Sequence, residues 1–202
     1  MKKVIWIRLF TLCLALSAAD AQAEWQATEK VETYAVSGKS GAELYASIGE
    51  RGPKAGGIGR AIAHTSFKLT WTRKYEARGD SCVLAIARPK LTITYTLPKA
   101  TQKLPEITRQ NWETFIDGVH KHELVHGEMI KDMVKAIEAV SVGMTVPADP
   151  QCRKIRTELT ARLGELSRAQ RQRSRDFDRL ELSNGGNIHQ LILSLVNGDI
   201  KR

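Results

Sequence analysis

The sequence predicts an α+β fold: an antiparallel sheet in the N-terminal half, followed by a long helical hairpin. Two observations carry this reading. From Glu24 to about Pro105 apolar residues recur with a period of two, and after Pro105 the period changes to about 3.6. A third bounds it: 202 residues, 42% hydrophobic and 26% charged, suit one globular domain and not a disordered or multi-span membrane chain.

The chain opens on an address. Lys2, Lys3 and Arg8 precede an apolar run from Leu9 to Ala19, which ends in Ala21-Gln22-Ala23, the small-x-small pattern that a signal peptidase accepts. The run is too short to span a bilayer comfortably, so residues 1–23 are expected to be a cleaved signal peptide. Residues 24–202 then form one periplasmic or secreted domain, 24–105 mainly strand and 106–202 mainly helix, with no stable membrane insertion after cleavage. Of the three cysteines, Cys13 leaves with the leader. Cys82 and Cys152 remain as an even pair in an oxidising compartment and are expected to be bridged.

In the first half, Val31, Thr33 and Ala35 alternate in a short strand that Ser37-Gly38 breaks, and residues 41–48 suit a short helix. The Gly-rich stretch 49–59 lacks the Gly-Lys-Ser/Thr ending of a phosphate loop and reads as a connector. Thr65, Phe67, Leu69 and Trp71 alternate in a half-buried strand. A turn at Arg78-Gly79-Asp80 leads to Cys82, Leu84 and Ile86, and Leu91, Ile93, Tyr95 and Leu97 form a further strand closed by Pro98. In the second half, Trp112, Phe115, Ile116, Val119, Met129, Ile130, Met133 and Ile137 trace one stripe of a long helix that stops at Gly143 and Pro147. A second helix is expected from about Gln151 to Leu182, with Ile155, Leu159, Leu163, Leu166, Phe177 and Leu180 inward, and a short one from Ile188 to Val196.

The net charge is +9, of which the leader carries +2. Between Arg153 and Arg175 eight Lys/Arg face only Glu158 and Glu165. Outside the cytoplasm, and without interleaved aromatics, this run points to a solvated helix face or an anionic envelope component, not to nucleic acid.

The stretch that carries chemistry is His122-Glu123-Leu124-Val125-His126, an H-E-x-x-H. Two imidazoles four apart on a helix share a face and reach one Zn²⁺ through their ring nitrogens, and the intervening Glu is placed to shuttle a proton. Such a match arises by chance in roughly one in a hundred chains of this size, so its helix phase matters. With Val119 at zero, His122 and His126 fall about 60° and 20° to one side, within the apolar stripe, and Glu123 about 40° to the other. Histidines facing a core need partners, and two of them one turn apart suit a shared one. The competing reading pairs them with carboxylates elsewhere and leaves Glu123 in a surface ion pair. Glu128, His120 and His64 read as unremarkable.

Arg51-Gly52-Pro53, Thr70-Trp71, Cys82, Thr96-Leu97-Pro98, Trp112 and the H-E-x-x-H together resemble the bacterial family called domain of unknown function 922, regarded as secreted zinc-dependent proteases. The resemblance covers about residues 28–183. It implies a zincin-like metallopeptidase with His122 and His126 as zinc ligands and Glu123 as general base and acid, acting on a peptide or protein. The family's Tyr-Asp and Thr-x-His-Gly near the end of the second helix read here as Phe177-Asp178 and a stretch ending Ser183-Asn184, without the histidine. Catalytic zinc takes three protein ligands. Glu181, His189 and Glu165 are the candidates for the third, and Tyr34, Tyr45, Tyr75 and Tyr95 for an oxyanion stabiliser. Other functions compatible with the fold are a non-catalytic envelope binding module and an amidase of cell-wall peptides.

Overall fold

The computed structural model describes residues 25–54 and 59–198; the expected signal peptide lies outside them. The elements run β1 (Thr28–Val36), α1 (Gly41–Arg51), β2 (His64–Arg78), β3 (Ser81–Ala100), α2 (Glu106–Ser141), β4 (Thr145–Val146), α3 (Lys154–Leu182) and α4 (Asn187–Asn197). The class is α+β, sheet first and helices second. The sheet is mixed, however, not antiparallel. β2 and β3 form a hairpin, but β1 lies parallel to β3, with Thr28 opposite Thr92 and Val36 opposite Ala100. Alternation reports which face a residue takes and carries no information on strand direction. Here β1 ends and β2 begins at the same end of the sheet, opposite Ala100 and Thr96, so β2 runs back and the hairpin brings β3 up parallel to β1.

The phase of β1 also differs from expectation. Val31 is 54% exposed, while Val36 is fully buried. β1 is an edge strand covered only at its C-terminal end, so its apolar residues are not a guide to its buried face.

The two expected strands 82–86 and 91–97 are one strand of 20 residues, β3. Its partners step from Lys74–Ile86 to Tyr75–Leu84, which skips Ala85. This bulge reverses the parity, so that Cys82 and Leu84 share a buried face with Ala87, Leu91, Ile93, Tyr95 and Leu97. The intervening Thr92, Thr94 and Thr96 are only half-buried, as expected of a sheet with one wet face. Pro98 does not end the strand. β2 pairs only as far as Thr96, so β3 has a partner on one side alone at Pro98.

α2 lays its stripe along this buried face. Trp112, Phe115 and Val119 pack with Leu97, Val36, Leu44 of α1 and Ile188 and Leu195 of α4. Ile130, Met133, Val134 and Ile137 pack on Leu91, Ile93 and Tyr95. Cys82 and Cys152 are bridged, with Cα atoms 5.2 Å apart, beside Leu84, Ile155 and Leu159. Closing a loop of that sequence separation, 70 residues, is worth roughly 4 kcal/mol on the chain-entropy account.

α3 carries its cations outward: all eight between Arg153 and Arg175 are exposed. Leu180, expected inward, is 67% exposed because the last turns of α3 face α2 with Phe177, Asp178 and Glu181 instead. Among the described residues no helix is long and apolar enough to cross a membrane.

Candidate metal centre

The site forms where the middle of α2 meets the last turns of α3. His122 and His126 are 7% and 9% exposed. One helical turn separates them, and their Nε2 atoms lie 3.1 Å apart. Both face Asp178 Oδ1 of α3, at 3.2 Å from His122 Nε2 and 2.8 Å from His126 Nε2. Among the described residues, these three side chains are the one group of His, Cys, Asp or Glu whose ligand atoms gather closely enough for a metal ion.

The other ring nitrogens settle how each imidazole is held. His126 Nδ1 lies 3.2 Å from Ser174 Oγ. That hydroxyl accepts from Gln170 Nε2 at 3.0 Å and lies 3.8 Å from Met129 Sδ, and it accepts the His126 Nδ1–H in the tautomer that leaves Nε2 free for a metal. His122 Nδ1 is buried without a hydrogen-bond partner. The nearest carboxylate is Glu181 Oε2 at 3.8 Å, itself held by Asn187 Nδ2 at 3.2 Å. Phe177 stacks on His122, centroids 4.7 Å apart, and meets His126 edge-on at 5.4 Å. The rings are thus fixed by a wall of α3.

Charge follows this geometry. Burial disfavours a charged His126, but the hydrogen bond and charge of Asp178, with the charge of Glu123, outweigh it and raise the imidazole's pKa. Burial likewise opposes the Asp178 carboxylate, and the bonds from both histidines hold its pKa well below the usual carboxylate range. Two Nε2 atoms at 3.1 Å are bridged either by a hydrogen that one ring donates to the other or by a metal ion that both rings ligate.

Those distances fit zinc. Bonds of about 2.0–2.2 Å in a tetrahedral site place ligand atoms about 3.3–3.6 Å apart. The three edges, 2.8 to 3.2 Å, would open by about 0.2–0.6 Å to reach the middle of that range. Two imidazoles and one carboxylate are also a common catalytic zinc set, and the His126 Nδ1 is paired with the Ser174 hydroxyl, as the second nitrogen of a ligating histidine is.

Glu123 is 5% exposed, so it makes no surface ion pair. Its Oε2 accepts from Thr65 Oγ of β2 at 2.6 Å, and the same hydroxyl lies 3.1 Å from its carbonyl oxygen. Glu123, the two histidines, Asp178, Thr65 and His64 all line one cleft of about 530 Å³.

Of the sequence candidates for a third ligand, Glu165 is exposed on α3, and His189 accepts from the Gly185 N–H at 3.3 Å. Glu181 comes near, but behind His122 and not at the Nε2 pair. The carboxylate that does reach the Nε2 pair is Asp178. A symmetric hairpin turning near Pro147 would bring residues 168–172 level with the motif. Instead residues 142–153 add β4 to the sheet and tie Cys152 to Cys82, which staggers the helices and brings Ser174 and Asp178 level. Of the tyrosines, only Tyr45 lines the cleft. Tyr34 donates to Ile62 O at 2.7 Å, Tyr75 lies 4.0 Å beneath the Arg156 guanidinium, and Tyr95 donates to Glu29 at 2.8 Å.

The family model described as "Bacterial protein of unknown function (DUF922)" matches residues 31–186. The chain belongs to this family. The DUF922 match spans β1 to the end of α3, so it includes His122, Glu123, His126, Asp178 and Glu181 and stops short of α4. No curated protein and no solved structure matches the chain.

Proposed function

We propose that this protein is an exported, zinc-dependent metallopeptidase, with His122, His126 and Asp178 as the metal ligands and Glu123 as the general base and acid. The observation that carries the reading is the convergence of two buried Nε2 atoms and one carboxylate oxygen, with the His126 Nδ1 held by Ser174 of α3. The apolar run before Ala21-Gln22-Ala23 and the Cys82–Cys152 bridge support export to an oxidising compartment.

When bound, zinc would act as a Lewis acid on a water molecule and on a substrate carbonyl. The chain's own residues do the rest. Glu123 sits beside the ligand pair on the same cleft, takes a proton from the attacking water, and returns it to the leaving nitrogen. Thr65 fixes one oxygen of that carboxylate through its 2.6 Å bond and leaves the other to work. The free edge of β2, whose Thr65 and Phe67 line the cleft, offers backbone groups to align an extended peptide.

The test is zinc content and peptide hydrolysis in wild type, His122→Ala, Asp178→Ala and Glu123→Gln. The first two variants are expected to lose the metal. Glu123→Gln is expected to keep it and lose hydrolysis by roughly 10²–10⁴-fold. Wild-type protein with one zinc per chain that cleaves nothing in a broad peptide mixture would instead favour a non-catalytic envelope module.

A further inference from the structure

The cleft contains one Lys or Arg side chain among its described lining residues, Arg60. The metal centre and Glu123 do not use it. Arg60 precedes β2 and is held by the Arg51-Gly52-Pro53 turn at the end of α1, a motif to which the zinc chemistry gives no role. The Gly52 N–H ends α1 on Ile48 O at 2.8 Å, and the Gly52 carbonyl accepts from Arg60 Nη1 at 2.7 Å. Pro53 O accepts the Ala61 N–H at 2.9 Å, and Lys54 bridges to Arg60 through the backbone. A Cβ at Gly52 would stand 2.2 Å from Ala61 O and 2.8 Å from Ile48 O, so this clamp closes only around glycine.

The clamp occupies one nitrogen of the guanidinium. Among the described residues no carboxylate pairs with the remaining donors, which keep the planar fork that suits a carboxylate. Arg60 is exposed, and on the same cleft the lining from α1, α4 and the lead-in to β2 is largely apolar: Tyr45, Ile62, Ile188 and Ile192. A guanidinium at an apolar wall, in a cleft of about 530 Å³, suits an anion carried beside a large apolar group. The cleft's own carboxylates are already engaged, Glu123 by Thr65 and Asp178 by the two histidines.

We propose that the cleft selects peptides that present a carboxylate beside a large apolar side chain, with Arg60 gripping the carboxylate. The inference rests on the peptidase reading for its ligand class. The carboxylate is either a peptide's C-terminus or an acidic side chain, and the probes separate the two.

Binding is measured calorimetrically on the zinc-loaded full chain carrying Glu123→Gln, so that no probe is consumed. The probes are acetyl-Ala-Phe with a free carboxylate, the same peptide as its amide, and acetyl-Ala-Phe-Asp-amide. One of the two carboxylate peptides is expected to bind about tenfold more tightly than the amide, and Arg60→Gln is expected to erase that difference without changing zinc content. Which one binds tightly identifies the source of the carboxylate. Equal binding of all three probes overturns the proposal. So does a preference that survives Arg60→Gln, because the metal would then be the group holding the carboxylate. Should Arg60→Gln lose the fold, Arg60→Lys gives the same comparison: a preference below about threefold supports the fork, and an undiminished one overturns it. No arm reads hydrolysis. A wild type without peptidase activity whose Glu123→Gln form still shows the Arg60-dependent preference would sink the peptidase reading and leave this one standing.

Discussion

Replacing Gly127 by alanine sets two physical expectations of opposite sign against each other. Gly127 lies in the interior of α2, where helix propensity alone makes Gly→Ala stabilising by about 1 kcal/mol. A Cβ there would meet Tyr95 Oη at 2.1 Å, Cζ at 3.0 Å and Cε1 at 3.1 Å. That ring cannot simply swing aside. Tyr95 is 2% exposed and donates to Glu29 at 2.8 Å, and Glu29 in turn takes Lys131 Nζ of α2 at 2.8 Å. Helix and strand must therefore part. Overpacking of this kind costs about 1–3 kcal/mol. Loss of the Tyr95 bond to the half-exposed Glu29 adds about 1 kcal/mol. Against the propensity gain, the net is a destabilisation of about 2 kcal/mol. Because His126 is the neighbouring residue, the same displacement moves its ring, so zinc affinity should fall as well. Urea unfolding of the metal-free chain, with zinc titration of the folded variant, reads both effects. A variant about 1 kcal/mol more stable than wild type, with unchanged zinc affinity, would refute the close approach of α2 to β3 on which the site depends.

Three further outcomes follow from the same geometry. Glu181→Gln removes the carboxylate behind His122 Nδ1 and is expected to weaken zinc binding by about 10–100-fold while zinc at saturation is still held, measured by competition with a chelator. In the metal-free chain, Asp178 has a lowered pKa, so its stabilisation is present above the ordinary 3.8 and is lost as pH falls through the lowered value. His126 has a raised pKa, so its contribution is complete below 6.5 and is lost as pH rises through the raised value. The metal-free protein should thus lose melting temperature above neutral pH. Zinc, which needs the proton gone, should restore more the higher the pH, and a zinc-induced shift that is flat from pH 5.5 to 8 would contradict this. Finally, chelation should speed amide exchange across residues 174–182 of α3 and leave residues 155–163 unchanged; uniform acceleration along α3 would argue against a local tether.

What could be read from the chain divides along the range of the forces involved. The period change near Pro105, the cysteine pair and the H-E-x-x-H are local or even-count signals, and the structure shows the α+β order, the bridge and two inward histidines. The direction of β1 and the parity reversal at Ala85 depend on pairing partners, which alternation does not encode. The third member of the site was hidden for a similar reason. Asp178 faces His122 only because β4 and Cys152 stagger α3 against α2. A local trace does exist: Ser174, Phe177, Asp178 and Glu181 recur at i, i+3, i+4 and i+7, one stripe of α3 that mixes an aromatic with hydrogen-bonding groups. Such a stripe on the helix facing an H-E-x-x-H is a sign of ligand support and not of core. The contacts of Thr65 with Glu123 and of Arg60 with Gly52 left no comparable trace, since they arise where β2 passes α2 and where its lead-in meets the end of α1.

The construction of α3 ties the metal to the architecture. Of its 29 residues only Ile155, Leu159 and Gln170 are buried, and the two apolar ones lie in its first two turns. The disulfide fastens that same end to β3. Asp178 lies 26 residues beyond Cys152, about 39 Å along a helix, and the contacts there are mostly polar: Ser174 and Asp178 to His126, Asp178 to His122, and Arg173 to Asp132 at 3.4 Å. The far end of α3 is therefore held by the histidine site and the stacked Phe177, with little apolar burial behind them. A divalent ion bound by both helices would be a second clamp at the end opposite the disulfide, and would set the position of α3 along one wall of the cleft. Metal occupancy and cleft shape would then be coupled: an ion bound there would also fix the wall against which a ligand of the cleft must fit.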